Sequence, residues 1–123
     1  ENTLNFAGSY NPLMMVKNNE INVIKADRMP VGYHFRKMDT PFTDHNMPIE
    51  KGTNIYMFSD GYQDQFGGSD GKKFTIKKLK QIILENSNKD MNIQSQILQD
   101  MYFDWTNEKF KQIDDIIIMG LKL

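Results

Sequence analysis

The chain has 123 residues, of which 39% are hydrophobic, and this is enough for one small domain with its own core. Its 15 Lys and Arg nearly balance its 16 Asp and Glu, so the net charge of −1 creates no field that would attract nucleic acid. Cysteine is absent, which excludes disulfides, thiolate metal sites and cysteine nucleophiles and is typical of a reducing cytoplasm.

Short apolar runs separated by turn residues predict the strands of the first half. Leu4 to Ala7 and Leu13 to Lys17 predict neighbouring strands on either side of a turn. Asn18-Asn19 then separates the second run from Ile21 to Ile24, and two residues that tolerate positive φ at this point predict a tight hairpin. The mixed stretch from Met38 to Ile49 predicts an exposed strand.

The second half combines continuous apolar runs with helical periodicity. Ile55 to Phe58 and Ile116 to Met119 lack alternation, which predicts central strands covered on both faces. Between them, apolar residues recur at helical spacing in two patterns: Ile76, Leu79, Ile82 and Ile83, followed by Ile93, Ile97, Met101 and Trp105. The order of elements therefore predicts an α+β fold with two helices packed near the C-terminus.

Acidic residues stand at opposite ends of the two predicted central strands. Asp60 follows the first strand, and Asp114-Asp115 precedes the second. If these strands are adjacent and antiparallel, the acids meet at one rim of the sheet. Carboxylates clustered without His or Cys suit a hard divalent cation such as Mg²⁺ or Mn²⁺. Spacing alone leaves open that Asp60-Gly61 is only a turn and that Asp114-Asp115 is only a solvated strand entrance.

Two further features do not enter the candidate site. His34 and His45 lie in polar surroundings without a partner at ligand spacing, which indicates ordinary exposed histidines. Gly67 to Gly71 precedes a helix, but it matches neither the Walker A nor the dinucleotide-binding pattern. We therefore interpret this segment as a flexible surface turn.

The segment from Phe58 to Gly68, with its Ser-Asp-Gly at the end of a strand, resembles the "SDG" or "TDG" motif of SpoIIE-type PP2C phosphatases. Four more segments resemble motifs of this family in the same order: Phe6 to Leu13 the "YAGAHNPL" motif, Ala26 to Gly32 the Pro-x-Gly segment, Lys51 to Thr53 the turn before the core strand, and Asp114 to Ile117 the terminal "DDIT", with Ile117 where Thr is frequent. The resemblance covers nearly the whole chain.

This resemblance implies a fold, a metal centre and a reaction. The fold is part of an αββα sandwich with a mostly antiparallel sheet. Asp60 and Asp114 each supply a carboxylate to one ion of a two-metal centre holding Mn²⁺ or Mg²⁺, and Asp115 lies behind them or serves as a further ligand. A metal-activated water then attacks the phosphorus, so no catalytic side chain is expected beyond the metal ligands.

One family motif has no counterpart in this sequence. The carboxylate that bridges the two metals lies on an upstream "D-x-x-G-H-G"-like segment, which does not occur here. Because the chain also begins at Glu1 without a methionine, we expect residues 1–123 to be the C-terminal portion of a single phosphatase domain that lacks its N-terminal portion. We expect this portion alone to be inactive, and the strand edge that it leaves unpaired to favour a homodimer.

The expected function is dephosphorylation of serine or threonine on a phosphoprotein in bacterial signalling, under the control of an upstream sensor or regulatory domain. The alternative is a non-catalytic module of the same family that binds a phosphoprotein or a partner domain. We expect the segment to be cytoplasmic and to make no membrane contact, since no apolar run approaches the roughly 20 residues of a membrane-spanning helix. Any membrane anchor would lie upstream in the parent chain.

Overall fold

The computed structural model describes residues 2–33 and 40–123. Within these residues, the elements in chain order are β1 (Thr3–Phe6), β2 (Leu13–Lys17), β3 (Glu20–Ile24), β4 (His45–Pro48), β5 (Asn54–Phe58), α1 (Gly61–Asp64), β6 (Phe66–Gly67), β7 (Lys72–Lys73), α2 (Ile76–Asn86), α3 (Met91–Thr106) and β8 (Ile118–Lys122). All of these strands pair antiparallel. The α+β class predicted from the sequence is confirmed.

The main sheet has the strand order β3-β2-β5-β8. β2 and β3 form the predicted hairpin around Asn18 and Asn19, whose φ angles of 48° and 64° lie in the left-handed region that Asn tolerates. β5 lies between β2 and β8, so the prediction of a central strand at Ile55 to Phe58 is confirmed. This order places the residues that follow β5 beside the residues that precede β8.

Both predicted long helices are present, and they pack on one face of the main sheet. In α2, the buried side chains of Leu79, Ile82 and Ile83 recur at helical spacing, and the hydroxyl of Thr75 caps the helix by accepting a hydrogen bond from the backbone N–H of Lys78. These side chains belong to one core cluster. Its other members are Met14 and Val16 of β2, Tyr56 and Phe58 of β5, Tyr62 of α1 and Phe74 after β7. The core therefore lies between the sheet and the helices.

The prediction that the first two strands are neighbours is wrong. β1 pairs with β4, from Thr3 opposite Pro48 to Phe6 opposite His45, and not with β2. After β1 the chain instead approaches Asp27, which accepts a hydrogen bond from the backbone N–H of Tyr10 and donates one to the carbonyl oxygen of Gly8. These two bonds attach the segment between β1 and β2 to the segment that follows β3.

The last predicted strand differs from the expectation in position and in burial. β8 begins at Ile118 rather than Ile116, and within the described chain it forms the edge of the main sheet. Ile118 packs against the core cluster, whereas Met119 and Leu121 are 58% and 54% exposed on the opposite face. The continuous apolar run predicted that other elements would cover both faces of this strand. In the described residues, helices cover only one face.

The segment from Gly67 to Gly71, predicted to be a flexible surface turn, forms the turn of the β6-β7 hairpin with Ser69 and Asp70 exposed, but its first two residues are packed. The backbone N–H of Gly68 donates a 2.8 Å hydrogen bond to the carbonyl oxygen of Trp105 at the end of α3. A Cβ atom at Gly67 would overlap that carbonyl group, and one at Gly68 would lie 2.8 Å from the indole ring. The two glycines therefore allow the hairpin to pack directly on α3.

The prediction that both histidines are ordinary exposed residues has a different result for each of them. His34 and the first part of the predicted strand from Met38 lie outside the described residues, while β4 confirms a strand at the end of that stretch. His45 is half-buried in β4 and stacks on Phe6 with ring centroids 6.2 Å apart, so its role is packing rather than that of an exposed residue. No helix within residues 2–33 and 40–123 is long and apolar enough to cross a membrane.

Candidate metal centre

The register of β5 and β8 brings two acidic segments to one rim of the main sheet. The pairing runs from Asn54 opposite Lys122 to Phe58 opposite Ile118. Asp60 comes two residues after the end of β5, and Asp114 comes four residues before the start of β8. The prediction that these two strands are adjacent and antiparallel is confirmed. Their role as metal ligands remains a prediction.

Ser59 connects the two segments beyond the last strand pair. Its backbone N–H donates a 2.9 Å hydrogen bond to the carbonyl oxygen of Ile117. Its hydroxyl donates to the carbonyl oxygen of Asp115 at 2.7 Å and accepts from the backbone N–H of Ile117 at 3.0 Å. Three hydrogen bonds from one residue therefore fix the backbone next to Asp60 against the backbone next to Asp114.

Gly61, on the other side of Asp60, makes an equally close approach. A Cβ atom at this position would overlap the carbonyl oxygen of Asp115, so the backbones can meet only because the residue is glycine. Both neighbours of Asp60 in the chain thus contact Asp115. The Asp-Gly pair is more than a turn, because its glycine is required by the packing of the second acidic segment.

Asp60 also begins the short helix α1. Its carbonyl oxygen accepts a 3.0 Å hydrogen bond from the backbone N–H of Asp64, so Asp64 lies one helical turn further along. The side chain of Asp60 makes no capping hydrogen bond to this helix. Its carboxylate therefore remains available to a ligand at the rim.

The acidic side chains at this rim are exposed and form no ion pairs in the part of the chain that the structure describes. Asp60, Asp114 and Asp115 are all exposed, and one carboxylate oxygen of Asp114 accepts a 2.7 Å hydrogen bond from the backbone N–H of Asp115. Among residues 2–33 and 40–123, none of these three carboxylates forms an ion pair; the ion pairs found there are Lys17 with Glu50, Lys72 with Asp70 and Lys73 with Asp64. Uncompensated carboxylate oxygens are donors that suit Mg²⁺ or Mn²⁺.

The described part of the chain does not by itself provide a complete metal-binding group. Within it, no three His, Cys, Asp or Glu side chains lie close enough together to hold a metal ion. Asp60 and Asp114 thus fit a divalent cation by chemistry and by backbone position, but further ligands are needed. Asp115 has a clear structural role, because its carbonyl oxygen accepts the hydroxyl of Ser59.

Gln65 is a second connection between the two segments, and it is absent from the site residues predicted from the sequence. The side chain is completely buried, and its amide nitrogen donates 3.0 Å hydrogen bonds to the carbonyl oxygens of Phe66 and Lys111. Gln65 follows α1, and Lys111 precedes Asp114 by three residues. A single buried glutamine creates no periodic pattern, so the one available signal in the sequence is its position within the segment from Phe58 to Gly68.

Tyr62, the second residue of α1, anchors this region to α3. Its hydroxyl donates a 2.7 Å hydrogen bond to the carbonyl oxygen of Leu98, and its ring packs edge-on against Phe74 with centroids 5.0 Å apart. Burial raises the pKa of Tyr62 well above its ordinary value, so the phenol stays protonated and keeps donating. The helix that follows Asp60 is therefore held by the core of the protein.

Comparison with solved structures identifies the fold. The SiaA-PP2C domain of Pseudomonas aeruginosa matches with a TM-score of 0.87 and 23% identity, covering 98% of this chain and 46% of that one. The phosphatase domain of SpoIIE from Bacillus subtilis matches with a TM-score of 0.58 and 11% identity over 93% of this chain and 48% of that one. A second crystal form of that domain, without domain swapping, matches with a TM-score of 0.58 and 15% identity. The match covers 98% of this chain and 49% of that one.

The chain thus spans less than half of the length of these solved structures, and its fold is part of a PP2C-like fold. No curated protein sequence shows a significant match to it. The family model for stage II sporulation protein E (SpoIIE), however, matches residues 3–123, which is almost the entire sequence. The chain therefore belongs to the SpoIIE family.

Proposed function

We propose that residues 1–123 are the C-terminal portion of a PP2C-type phosphatase domain that hydrolyses phosphoserine or phosphothreonine on a partner protein with Mn²⁺ or Mg²⁺. The observation that supports this most strongly is the junction of the two acidic segments. Ser59 and Gly61 hold the backbone on both sides of Asp60 against Asp115, the neighbour of Asp114. A turn or a solvated strand entrance alone would not require this connection.

Within this proposal, the chain's own residues position negative charge at an exposed rim. Asp60 and Asp114 provide carboxylate oxygens, and Ser59 and Gln65 fix the backbone segments that carry them. A bound divalent cation would supply electrostatic activation of the attacking water and of the phosphoryl group. The exposure of the rim allows the surface of a folded phosphoprotein to reach it.

Further ligands would come from the N-terminal portion of the domain, which we propose precedes this chain in the parent protein. An upstream sensor or regulatory domain would then control a cytoplasmic phosphatase in bacterial signalling. The alternative is a non-catalytic module that uses the same surface to bind a phosphoprotein or a partner domain. Two carboxylates at one rim that form no ion pair within residues 2–33 and 40–123 favour the enzyme, because a binding module for phosphorylated protein gains nothing from repelling the phosphate.

The proposal is tested by p-nitrophenyl phosphate hydrolysis in the presence of Mn²⁺. We expect a longer protein that includes the preceding half of the domain to turn over this substrate, and the 123-residue chain to show no measurable turnover. Robust turnover by the 123-residue chain would show that the N-terminal portion is dispensable. No turnover by the longer protein would instead favour the non-catalytic alternative.

A further inference from the structure

A second charged surface lies beside the candidate metal centre. The β6-β7 hairpin, the start of α2 and the end of α3 enclose an open pocket of about 440 Å³. We call it the lysine pocket, and its lining includes Asp70, Lys72, Lys73, Lys78 and Trp105. Three of these side chains carry an ammonium group, so positive charge is concentrated around one concave surface.

This concentration contrasts with the balance of the whole chain. Residues 70–80 contain five lysines and one acid, Asp70, whereas the chain has 15 basic and 16 acidic residues in total. Lys77 and Lys78, in the first turn of α2, are both exposed. The pocket therefore creates a local positive field on a protein with a net charge of −1.

Neighbouring side chains orient the three ammonium groups of the pocket, but these groups can still bind an anion. Lys72 lies 3.4 Å from the carboxylate of Asp70, and Lys73 lies 3.1 Å from that of Asp64. Both pairs are on the surface, where an ion pair contributes little and can be exchanged for another anion. These two lysines can therefore accept an incoming carboxylate or phosphate without a large loss of native stability.

Lys78 has an aromatic partner instead of an acidic one. Its ammonium lies 3.9 Å from the centroid of the Trp105 ring and 5.8 Å from that of Phe74. Within the part of the chain that the structure describes, no carboxylate forms an ion pair with Lys78. The cation–π contact orients the side chain and leaves its charge unneutralised.

The lysine pocket is directly connected to the acidic rim. Lys73 pairs with Asp64, and Asp64 is one helical turn from Asp60, which corresponds to a rise of about 6 Å. A phosphorylated residue held at the rim would thus have its flanking residues within reach of the pocket. The rim itself is negative, so a uniform polyanion such as nucleic acid would be repelled on one side.

We propose, on the basis of the proposed function, that the lysine pocket binds the acidic residues that flank the phosphorylated serine or threonine of the substrate protein. The substrate class is therefore an acidic phosphoprotein segment. Its side-chain carboxylates contact Lys72, Lys73 and Lys78, while its phosphoryl group lies at the rim with Asp60. In this arrangement the positive charge of the pocket faces the acidic residues that flank the phosphorylated residue, and the metal site faces the phosphoryl group.

Binding of two synthetic phosphoserine peptides tests this inference without turnover. The peptides have the same length, and the residues on both sides of the phosphoserine are Glu in one and Gln in the other. Trp105 is the only tryptophan of the 123-residue chain and lies in the pocket, so its fluorescence reports binding there. We expect the Glu peptide to bind more tightly than the Gln peptide, with an affinity that falls as salt is added.

The variants Lys72→Gln/Lys73→Gln and Lys78→Gln should each weaken binding of the Glu peptide by about three- to fivefold, the loss expected for ion pairs at an exposed surface. Lys51→Gln is the matched control, because Lys51 is exposed in the turn before β5, at the opposite end of that strand from Asp60. Circular dichroism confirms that each variant is folded.

Equal binding of the two peptides, no binding of either, or unchanged affinity in both lysine variants would overturn the inference. Tighter binding of a single-stranded oligonucleotide than of the Glu peptide would also overturn it and assign the pocket to nucleic acid. These outcomes are separate from the proposed function, because they require no hydrolysis. A longer protein without turnover would contradict the phosphatase proposal even if the pocket selects acidic peptides.

Discussion

The hydroxyl of Ser59 donates a 2.7 Å hydrogen bond to the carbonyl oxygen of Asp115 and so joins the end of β5 to the segment before β8. The same hydroxyl accepts a hydrogen bond from Ile117. In this way a neutral side chain holds together two backbone segments whose exposed acids repel each other. The serine of the Ser-Asp-Gly motif is therefore a positioning residue in the candidate metal centre.

Replacing this serine tests the connection. Ser59→Ala removes both side-chain hydrogen bonds, and we expect the free energy of unfolding to fall by about 1 kcal/mol, as for the loss of a typical hydrogen bond. Chemical denaturation measures this change. Ser95→Ala is the control, because Ser95 is exposed on α3, where its hydroxyl accepts a 3.3 Å hydrogen bond from Gln99. Equal stability of the two variants would show that the Ser59 hydroxyl contributes nothing to the junction.

The buried amide of Gln65 should contribute more. Gln65→Leu keeps an approximate side-chain volume but leaves the carbonyl oxygens of Phe66 and Lys111 without this donor, so we expect a loss of about 2–4 kcal/mol. The exposed Gln81, whose amide donates a hydrogen bond to the Glu85 side chain, provides the control variant Gln81→Leu. A loss below about 0.5 kcal/mol for Gln65→Leu would contradict the account.

These two residues also mark what a sequence can predict in this fold. Local patterns were sufficient for the Asn18-Asn19 hairpin, for β5 and for α2, since each depends on neighbouring residues. The adjacency of the two acidic segments followed from placing acids at the ends of apolar runs. The hydrogen bond from Gln65 to Lys111 joins residues 46 positions apart, and no local pattern encodes it.

Pairings and burial that depend on distant parts of the chain were predicted less well. The partner of β1 is β4, some 40 residues away, although β2 is nearer in sequence. In the apolar run that ends at Met119, Ile116 and Ile118 pack against the core cluster. Ile117 and Met119 lie on the other face, which is exposed in the described chain. The sequence of a strand shows how apolar it is, but it does not show which element covers each of its faces.

Alkaline pH should destabilise the protein through Tyr62. Burial raises its pKa above the ordinary value of 10.0, so the folded state retains the phenolic proton more strongly than the unfolded state. This contribution to stability is complete below about pH 10 and is lost as the pH rises further. We expect Tyr62→Phe to flatten the decline in the free energy of unfolding between pH 9 and 11, and Tyr10→Phe, at an exposed position, to leave it unchanged. Identical slopes for wild type and Tyr62→Phe would count against this explanation.

The edge strand β8 should make the isolated chain self-associate. Its outer backbone groups have no strand partner in the described chain, and Met119 and Leu121 add exposed apolar surface beside them. We expect a concentration-dependent dimer in sedimentation experiments, weakened by Leu121→Lys. Val31→Lys is the control, since Val31 is 82% exposed in the loop after β3, the strand at the opposite edge of the sheet from β8. A monomer at every concentration would refute the prediction.

The central claim is that Asp60 and Asp114 are ligands of a divalent cation required for hydrolysis. The direct measurement is Mn²⁺-dependent p-nitrophenyl phosphate turnover by the longer protein carrying Asp60→Asn, Asp114→Asn or the control Asp104→Asn, an exposed position on α3. We expect each of the first two variants to lose at least about 100-fold in turnover while unfolding at the same denaturant concentration as wild type, because a ligand charge is removed with little change in volume. The control should retain wild-type turnover. Near-normal turnover by Asp60→Asn at saturating Mn²⁺ would contradict the account.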